Sequence, residues 1–286
     1  MSYVSTLSTT QKENIKLLVA EAKKQGITNP ISIAGMLAVI SKESEFEPQS
    51  ENMNYSASGL QKNFALSSNK AKELERKPQP IANYVYGAKP YGKRNLEDAY
   101  GNVQANDGWN YRGRGFNQLT FKGNYKNYKD TAGVDIVANP DKVNDPNIAK
   151  KISVKFFLNG FDSLKRKGKL ESYGKAQDIN DFKDTRNSAL AFYHVNSGTG
   201  KSVDDTKSKA NTDKSGGMFR TLTRVDDLLN YVKQVYGEKP PKETNSKPIS
   251  FLGILLGVAV GAIGFILVSN KIVKWEMIKW MGKLTI

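Results

Sequence analysis

Glu43 and Glu51 are two carboxylates whose sequence context differs sharply, the condition under which one can donate a proton and the other take one. Glu43 closes the run from Pro30 to Ser44, in which Ile31, Ile33, Ala34, Met36, Leu37, Ala38, Val39 and Ile40 are apolar on nearly every side. Such a run predicts a core helix, with Asn29 as its N-cap and Pro30 at its first position. At about 100° per residue, Met36, Ile40 and Glu43 share one stripe and Glu45 turns away from it. A carboxylate that extends an apolar stripe is expected to be poorly solvated, the setting of a general acid. Glu51 lies in Glu51-Asn52-Met53-Asn54-Tyr55-Ser56-Ala57, a polar segment that reads as a wetter loop. Spacing alone favours a blander reading, in which Glu43, Glu45, Glu47 and Glu51 are a solvated acidic turn.

The elements that must position these groups are mainly helical. Thr10 and Glu13 suit a capping box ahead of Ile15, Leu18, Val19 and Ala22, with Gly26 closing that helix. Asp145-Pro146 opens a run through Ile148, Ile152 and Phe156 to Gly160. A further helix is predicted from Met218 to Tyr236, with Leu222, Val225, Leu229, Val232 and Tyr236 on one face. Residues 99–119 are rich in Gly, Asn and aromatics and predict a small hairpin or irregular lobe. Gly113 and Gly115 lack the strand-then-helix setting of a phosphate cradle, and close approach of the backbone to another kind of ligand is the better use for them. Arg112 and Arg114 have two open roles: pairing with the carboxylates or holding the loop. A single histidine, His194, and no cysteine argue against a zinc cluster, a thiol nucleophile or a Ser-His-Asp triad. No metal or cofactor is expected.

Four blocks then occur in order: Glu43-Ser44-Glu45-Phe46; Glu51 through Leu60; Ile81-Ala82-Asn83-Tyr84-Val85-Tyr86-Gly87; and Asp107 through Thr120. Together they resemble the compact bacterial and phage branch of glycoside hydrolase family 19, the chitinase and endolysin family, over residues 8–236. The resemblance implies a mainly α, lysozyme-like, two-lobed domain over residues 1–237, with a small β or irregular lobe. It implies that Glu43 is the general acid, that Glu51 is the general base and that Thr120 helps hold the nucleophilic water. Tyr55, Gln118, Asn124, Tyr125 and Asn196 match sugar-contacting positions. Ser197 departs from the family's Asn-Gly-Gly element at its first glycine, while His194 reads as structural. The family inverts the anomeric centre, which requires about 6.5–9.5 Å between the carboxyls to admit a water.

Composition changes after Gly237. Residues 238–248 form a Pro- and Lys-rich linker, and residues 249–270 predict a transmembrane helix whose apolar run is long enough to cross a bilayer. Gly253, Gly257 and Gly261 make a small-residue stripe, suited either to helix pairing in a homodimer or virion contact, or to a smooth lipid-facing surface. Residues 271–286 mix lysines with Trp275 and Trp280, as an interfacial amphipathic tail does. No secretory signal is evident at the start of the chain. The net charge of +15 suits anionic wall polymers and lipid. The expected function is a membrane-anchored, peptidoglycan-degrading glycosidase: either a lysin in the membrane of a lipid-containing phage particle, the version favoured, or an endolysin held on the bacterial inner membrane. The alternatives are a chitinase, a glycan-binding module without activity, and a basic virion structural or nucleic-acid-binding protein, though no nucleic-acid motif is present.

Overall fold

The computed structural model describes residues 2–239, which fall into two compact units. Residues 2–47 and 145–239 build the first, and residues 48–144 the second. In chain order, α1 (Thr9–Lys24) and α2 (Pro30–Ser44) open the first unit. The second holds α3 (Ala57–Phe64), α4 (Ser68–Leu74), α5 (Pro78–Tyr86), α6 (Asp107–Asn110), α7 (Lys122–Asn127) and α8 (Lys129–Ala132). The first unit then resumes with α9 (Pro146–Arg166), α10 (Thr185–Ser197), α11 (Val203–Thr212) and α12 (Gly217–Val235). The described residues are mainly helical, consistent with a lysozyme-like helical domain.

α2 has the bounds its sequence predicts, and the Asn29 side chain accepts from the Ile31 N–H at 2.9 Å. Ile33, Ala34, Met36, Leu37, Ala38, Val39 and Ile40 are all fully buried. Burial of each large side chain among them contributes about 1.5–3 kcal/mol, which makes α2 the axis on which α10 and α12 pack. At α1 the capping box is Ser8 with Gln11, two residues earlier than Thr10 and Glu13. Both pairs fit the pattern, and the earlier one lets the Gln11 side chain reach the Ser8 N–H at 2.8 Å. α9 runs beyond Gly160 to Arg166. The buried stripe of α12 is Met218, Thr221, Val225, Leu228, Val232 and Val235, so Leu228 faces the core in place of Leu229.

The N-cap of α12, Gly216, has no side chain, and Asp213 replaces it. Its carboxylate accepts from the N–H groups of Ser215, Gly216, Met218 and Phe219. Burial alone would raise the Asp213 carboxyl, but these N–H groups outweigh burial and hold it below the ordinary value of 3.8. Asp213→Ala is expected to cost about 1–2 kcal/mol at pH 7. A lowered carboxyl stabilises fully above its unfolded value, and the gain is lost as pH falls through the folded one. Urea unfolding should therefore separate wild type from variant at pH 7 and bring them together near the acid end of the scale.

The second unit has its own core of Met53, Leu60, Phe64, Leu66, Ala71, Leu74, Ile81, Ala82 and Val85. The predicted small lobe is irregular: backbone pairing here consists of isolated bridges, Ala88 with Arg94 and Arg114 with Leu119, without a named strand among the described residues. Side chains supply the missing ladder. Asn102 accepts from the Lys122 N–H and donates to the Tyr86 carbonyl, while Asp107 accepts from the N–H groups of Val103 and Gln104. Among the described residues no helix is long and apolar enough to cross a membrane. The predicted span 249–270 with Gly253, Gly257 and Gly261, the tail 271–286 and all but two residues of the linker lie outside them.

Candidate active site

In the first unit, the last turn of α2 delivers Glu43 with 17% of its side chain exposed. Asn196, near the end of α10, donates from Nδ2 to Glu43 Oε1 at 2.6 Å. The Lys42 ammonium, on a side chain only 5% exposed, contacts the same oxygen and stands 5.1 Å from the centroid of the Tyr193 ring. The surroundings of Glu43 therefore differ from the bare apolar stripe expected, since an amide and a cation meet the carboxylate. Successive helical side chains point about 100° apart, so this pairing depends on the length of both chains rather than on helix register. Glu45 does turn away, held by Arg224 at 2.9 Å and by the Tyr3 hydroxyl at 2.6 Å. It and Phe46 take left-handed φ values of 48° and 62°, which ends the helix at Ser44, one residue beyond Glu43.

The loop after Asn196 is fastened from behind. Lys169 Nζ donates to the carbonyls of Thr199, Gly200 and Lys201 at 3.0, 3.2 and 2.5 Å. Burial, then the Lys169 charge, pushes His194 down to about 4, so its ring is neutral near pH 7. In that state Nδ1 accepts from the Tyr173 hydroxyl at 2.6 Å and Nε2 donates to the Lys201 carbonyl at 3.1 Å. His194 is thus a structural clamp.

In the second unit, the Glu51 N–H donates to the Gly113 carbonyl at 2.7 Å. The Tyr86 hydroxyl, at the end of α5, lies 2.8 and 2.9 Å from the two Glu51 carboxylate oxygens, and the Gly113 N–H approaches Oε2 at 3.4 Å. Glu51 is half-buried and held by named donors, where the sequence suggested only a wet loop. Burial, then the Glu51 charge, raises the Tyr86 phenol well above its ordinary value, which keeps it a donor. A Cβ at position 113 would stand 2.7 Å from Gln118 Oε1 and 3.4 Å from Glu51 Cβ, so glycine is what lets these two side chains converge. Tyr86→Phe removes the phenolic donor to Glu51 and is expected to cost about 1.5–3 kcal/mol of stability, the range for a hydrogen bond to a charged group. Urea unfolding would check this, and an unchanged midpoint would deny Tyr86 any part in holding Glu51.

Gln118 Nε2 donates to the carbonyls of Gln49 and Gly115 at 3.0 and 3.2 Å. Gln118 and Phe121 have φ values of 53° and 76°, so two non-glycine residues in costly conformations bracket Thr120. The Thr120 hydroxyl donates to the Gln118 carbonyl at 2.8 Å, and Asn124 Nδ2 donates to the Thr120 carbonyl at 2.8 Å. Tyr55 is half-buried, edge-on to Phe64 with ring centroids 5.1 Å apart, and its phenol is raised by burial and then by Glu51. Asn124 and Tyr125 were matched to sugar contacts, but both are buried and brace the loop. The Tyr125 hydroxyl donates to the Arg112 carbonyl at 3.0 Å and accepts from Arg114 at 3.1 Å. Of the roles left open for the arginines, holding the loop is the one observed. Arg114 pairs with Asp141 at 2.7 Å and donates to the Asn110 carbonyl, while Arg112 stacks 3.7 Å over Trp109. Lys42 and Tyr86 are the functional candidates that sequence reasoning missed. Tyr86 lies in the Ile81-Ala82-Asn83-Tyr84-Val85-Tyr86-Gly87 segment, and nothing in its spacing ties it to Glu51.

No protein-family model matches the chain. Over 121 residues, 41% of its length, it is 39% identical to a Haemophilus influenzae protein described as a glycosyl hydrolase family 19 domain-containing protein. The match spans 56% of that relative, a little over half of its length. The similarity supports a relation to glycoside hydrolase family 19 at the family level.

Proposed function

We propose that this chain is an inverting glycoside hydrolase that cleaves β-1,4-linked glycan, with Glu43 as general acid and Glu51 as general base. The 39% identity to a glycosyl hydrolase family 19 domain-containing protein carries the reading. The fixed hydrogen bonding of each carboxylate supports the two roles. Glu43 gives its proton to the leaving-group oxygen as the glycosidic C–O bond breaks. Glu51 takes a proton from the water that attacks the anomeric carbon on the opposite face. The Thr120 hydroxyl has its own proton engaged by the Gln118 carbonyl, so its lone pairs are directed to accept from that water. Gln118, Tyr55 and Asn196 are the proposed sugar contacts, with Asn124 and Tyr125 behind them.

The proposed substrate is peptidoglycan, with chitin as the alternative. The apolar run at 249–270 and the lysines around it support anchoring in a membrane, either of a phage particle during entry or of the host before lysis. Zymography on embedded cell walls and on embedded chitin, comparing wild type with Glu43→Gln, tests the reading. Clearing by wild type that the variant loses is expected. No clearing by either protein would refute the hydrolase, and analysis of the reducing ends released would identify the bond.

A further inference from the structure

In the second unit α5 ends at Tyr86, and the loop that follows takes four successive carbonyls at that end. The Lys93 N–H donates to the Tyr84 carbonyl at 2.9 Å and Arg94 Nε to the Val85 carbonyl at 2.6 Å. Asn102 Nδ2 donates to the Tyr86 carbonyl at 3.2 Å, and the Arg94 N–H to the Gly87 carbonyl at 3.1 Å. A helix leaves its last carbonyls without internal partners, so these bonds decide how α5 ends. Arg94 supplies two of the donors, one from its backbone and one from its side chain. With the backbone at Tyr86 fixed in this way, only the torsions of the side chain remain to place its hydroxyl.

The ring has two neighbours that restrict those torsions. The guanidinium carbon of Arg94 stands 5.8 Å from the Tyr86 ring centroid and 5.2 Å from that of Phe121. The two rings meet edge-on, with centroids 5.5 Å apart and planes at 83°. Phe121 is itself buried and anchored: Tyr100 packs against it at 5.4 Å, and its N–H donates to the Tyr111 carbonyl at 2.8 Å. Among the described residues Arg94 forms no ion pair within 4 Å, and Asp98 acts on it only from farther away. Its charge is therefore directed at the rings, where each such contact contributes about 0.5–2 kcal/mol. At the far end of one of those rings is the hydroxyl that meets both Glu51 oxygens, at 2.8 and 2.9 Å.

We propose that Arg94 is a positioning residue: by gripping the end of α5 and the Tyr86 ring together, it keeps the phenol on Glu51 and so aims the general base. The proposal rests on the hydrolase reading for the role of Glu51. Arg94 acts through Tyr86, so loss of either side chain should release the same carboxylate.

The test has one readout without turnover and one with it, both on the full-length protein. In protein labelled with ¹³C at tyrosine Cζ, the Tyr86 resonance is identified by its disappearance in Tyr86→Phe. Glu51→Gln should shift that resonance when Arg94 is present, and the response should be lost in Arg94→Met. Arg94→Lys keeps the charge and the stem but lacks the planar face and the Nε donor, so its response should be reduced. In kinetics on soluble glycan, Arg94→Met should lower kcat by up to about 10²-fold with KM unchanged, as misplacement of a reacting group by ~1 Å does. Adding Tyr86→Phe should then lower kcat little further, because the two side chains serve one contact. Urea unfolding identifies the variants that fold. A wild-type response of the Tyr86 resonance in every Arg94 variant that folds, or kcat losses that multiply in the double variant, would overturn the proposal. The hydrolase reading is judged separately by the zymogram. Clearing with the Tyr86 response intact in the Arg94 variants removes only the positioning role; a lost response without clearing by wild type removes the hydrolase and leaves the hold of Arg94 on Tyr86.

Discussion

Glu43→Gln is expected to lower kcat by about 10²–10⁴-fold, the range a positioned general acid contributes. Glutamine keeps a carbonyl that Asn196 Nδ2 can reach but has no proton to give. The substitution also strips Lys42 of its carboxylate, and that side chain is only 5% exposed. Removing one partner of a buried pair costs about 3–5 kcal/mol, and the 17% exposure of Glu43 places this case towards the low end. Stability and chemistry can be separated by the double variant Lys42→Met with Glu43→Gln. It should recover much of the unfolding midpoint and none of the turnover. A single variant that keeps kcat within tenfold of wild type would remove Glu43 from the chemistry.

Gly35→Val should have the largest effect on the fold. A Cβ at position 35 would stand 2.2 Å from Ser188 Oγ and 3.0 Å from both Phe192 Cδ2 and the Ser188 carbonyl carbon. Ser188 Oγ is itself engaged, donating to the Ile31 carbonyl at 3.0 Å. Backbone as well as side chain would have to move, so α2 and α10 must separate. Overpacking of this kind typically costs about 1–3 kcal/mol, and a rigid helix crossing belongs at or above the top of that range. The same separation pulls Asn196 away from Glu43, so the surviving folded protein should also turn over more slowly. Urea unfolding would check the first effect and kinetics the second. A midpoint shift worth less than about 0.5 kcal/mol would mean that α2 and α10 part readily at this crossing.

What was legible in the chain was local. α2 could be read residue for residue because its cap, its first-turn proline and its all-round apolar face agree. At α1 two overlapping cap patterns competed, and only the reach of Gln11 decides between them. On α12 the adjacent Leu228 and Leu229 left the stripe ambiguous by one position. The partners of the carboxylates were beyond local reading. Asn196 meets Glu43 across 153 positions and Tyr86 meets Glu51 across 35, and no periodicity encodes either contact. Nothing in the segment around Lys42 shows that Tyr193 and Gly217 lie against its side chain. The irregular lobe was legible as irregular. Its internal order rests on Asn102 reaching the backbone of Tyr86 and Lys122, and on Asp107 and Arg114 bonding to backbone three or four residues away, none of which composition reveals.

The first unit is assembled from the two ends of the described chain, with the whole second unit inserted after Glu47. During synthesis on the ribosome, α2 therefore emerges long before α10 and α12. At the usual ~5–20 residues per second, its apolar surface waits roughly 10–40 s for the helices that cover it. The inserted unit carries its own core and can fold within that interval. The nascent N-terminal pair of helices should accordingly be a chaperone client, and slowing translation after residue 144 should lower the soluble yield more than slowing it before residue 48.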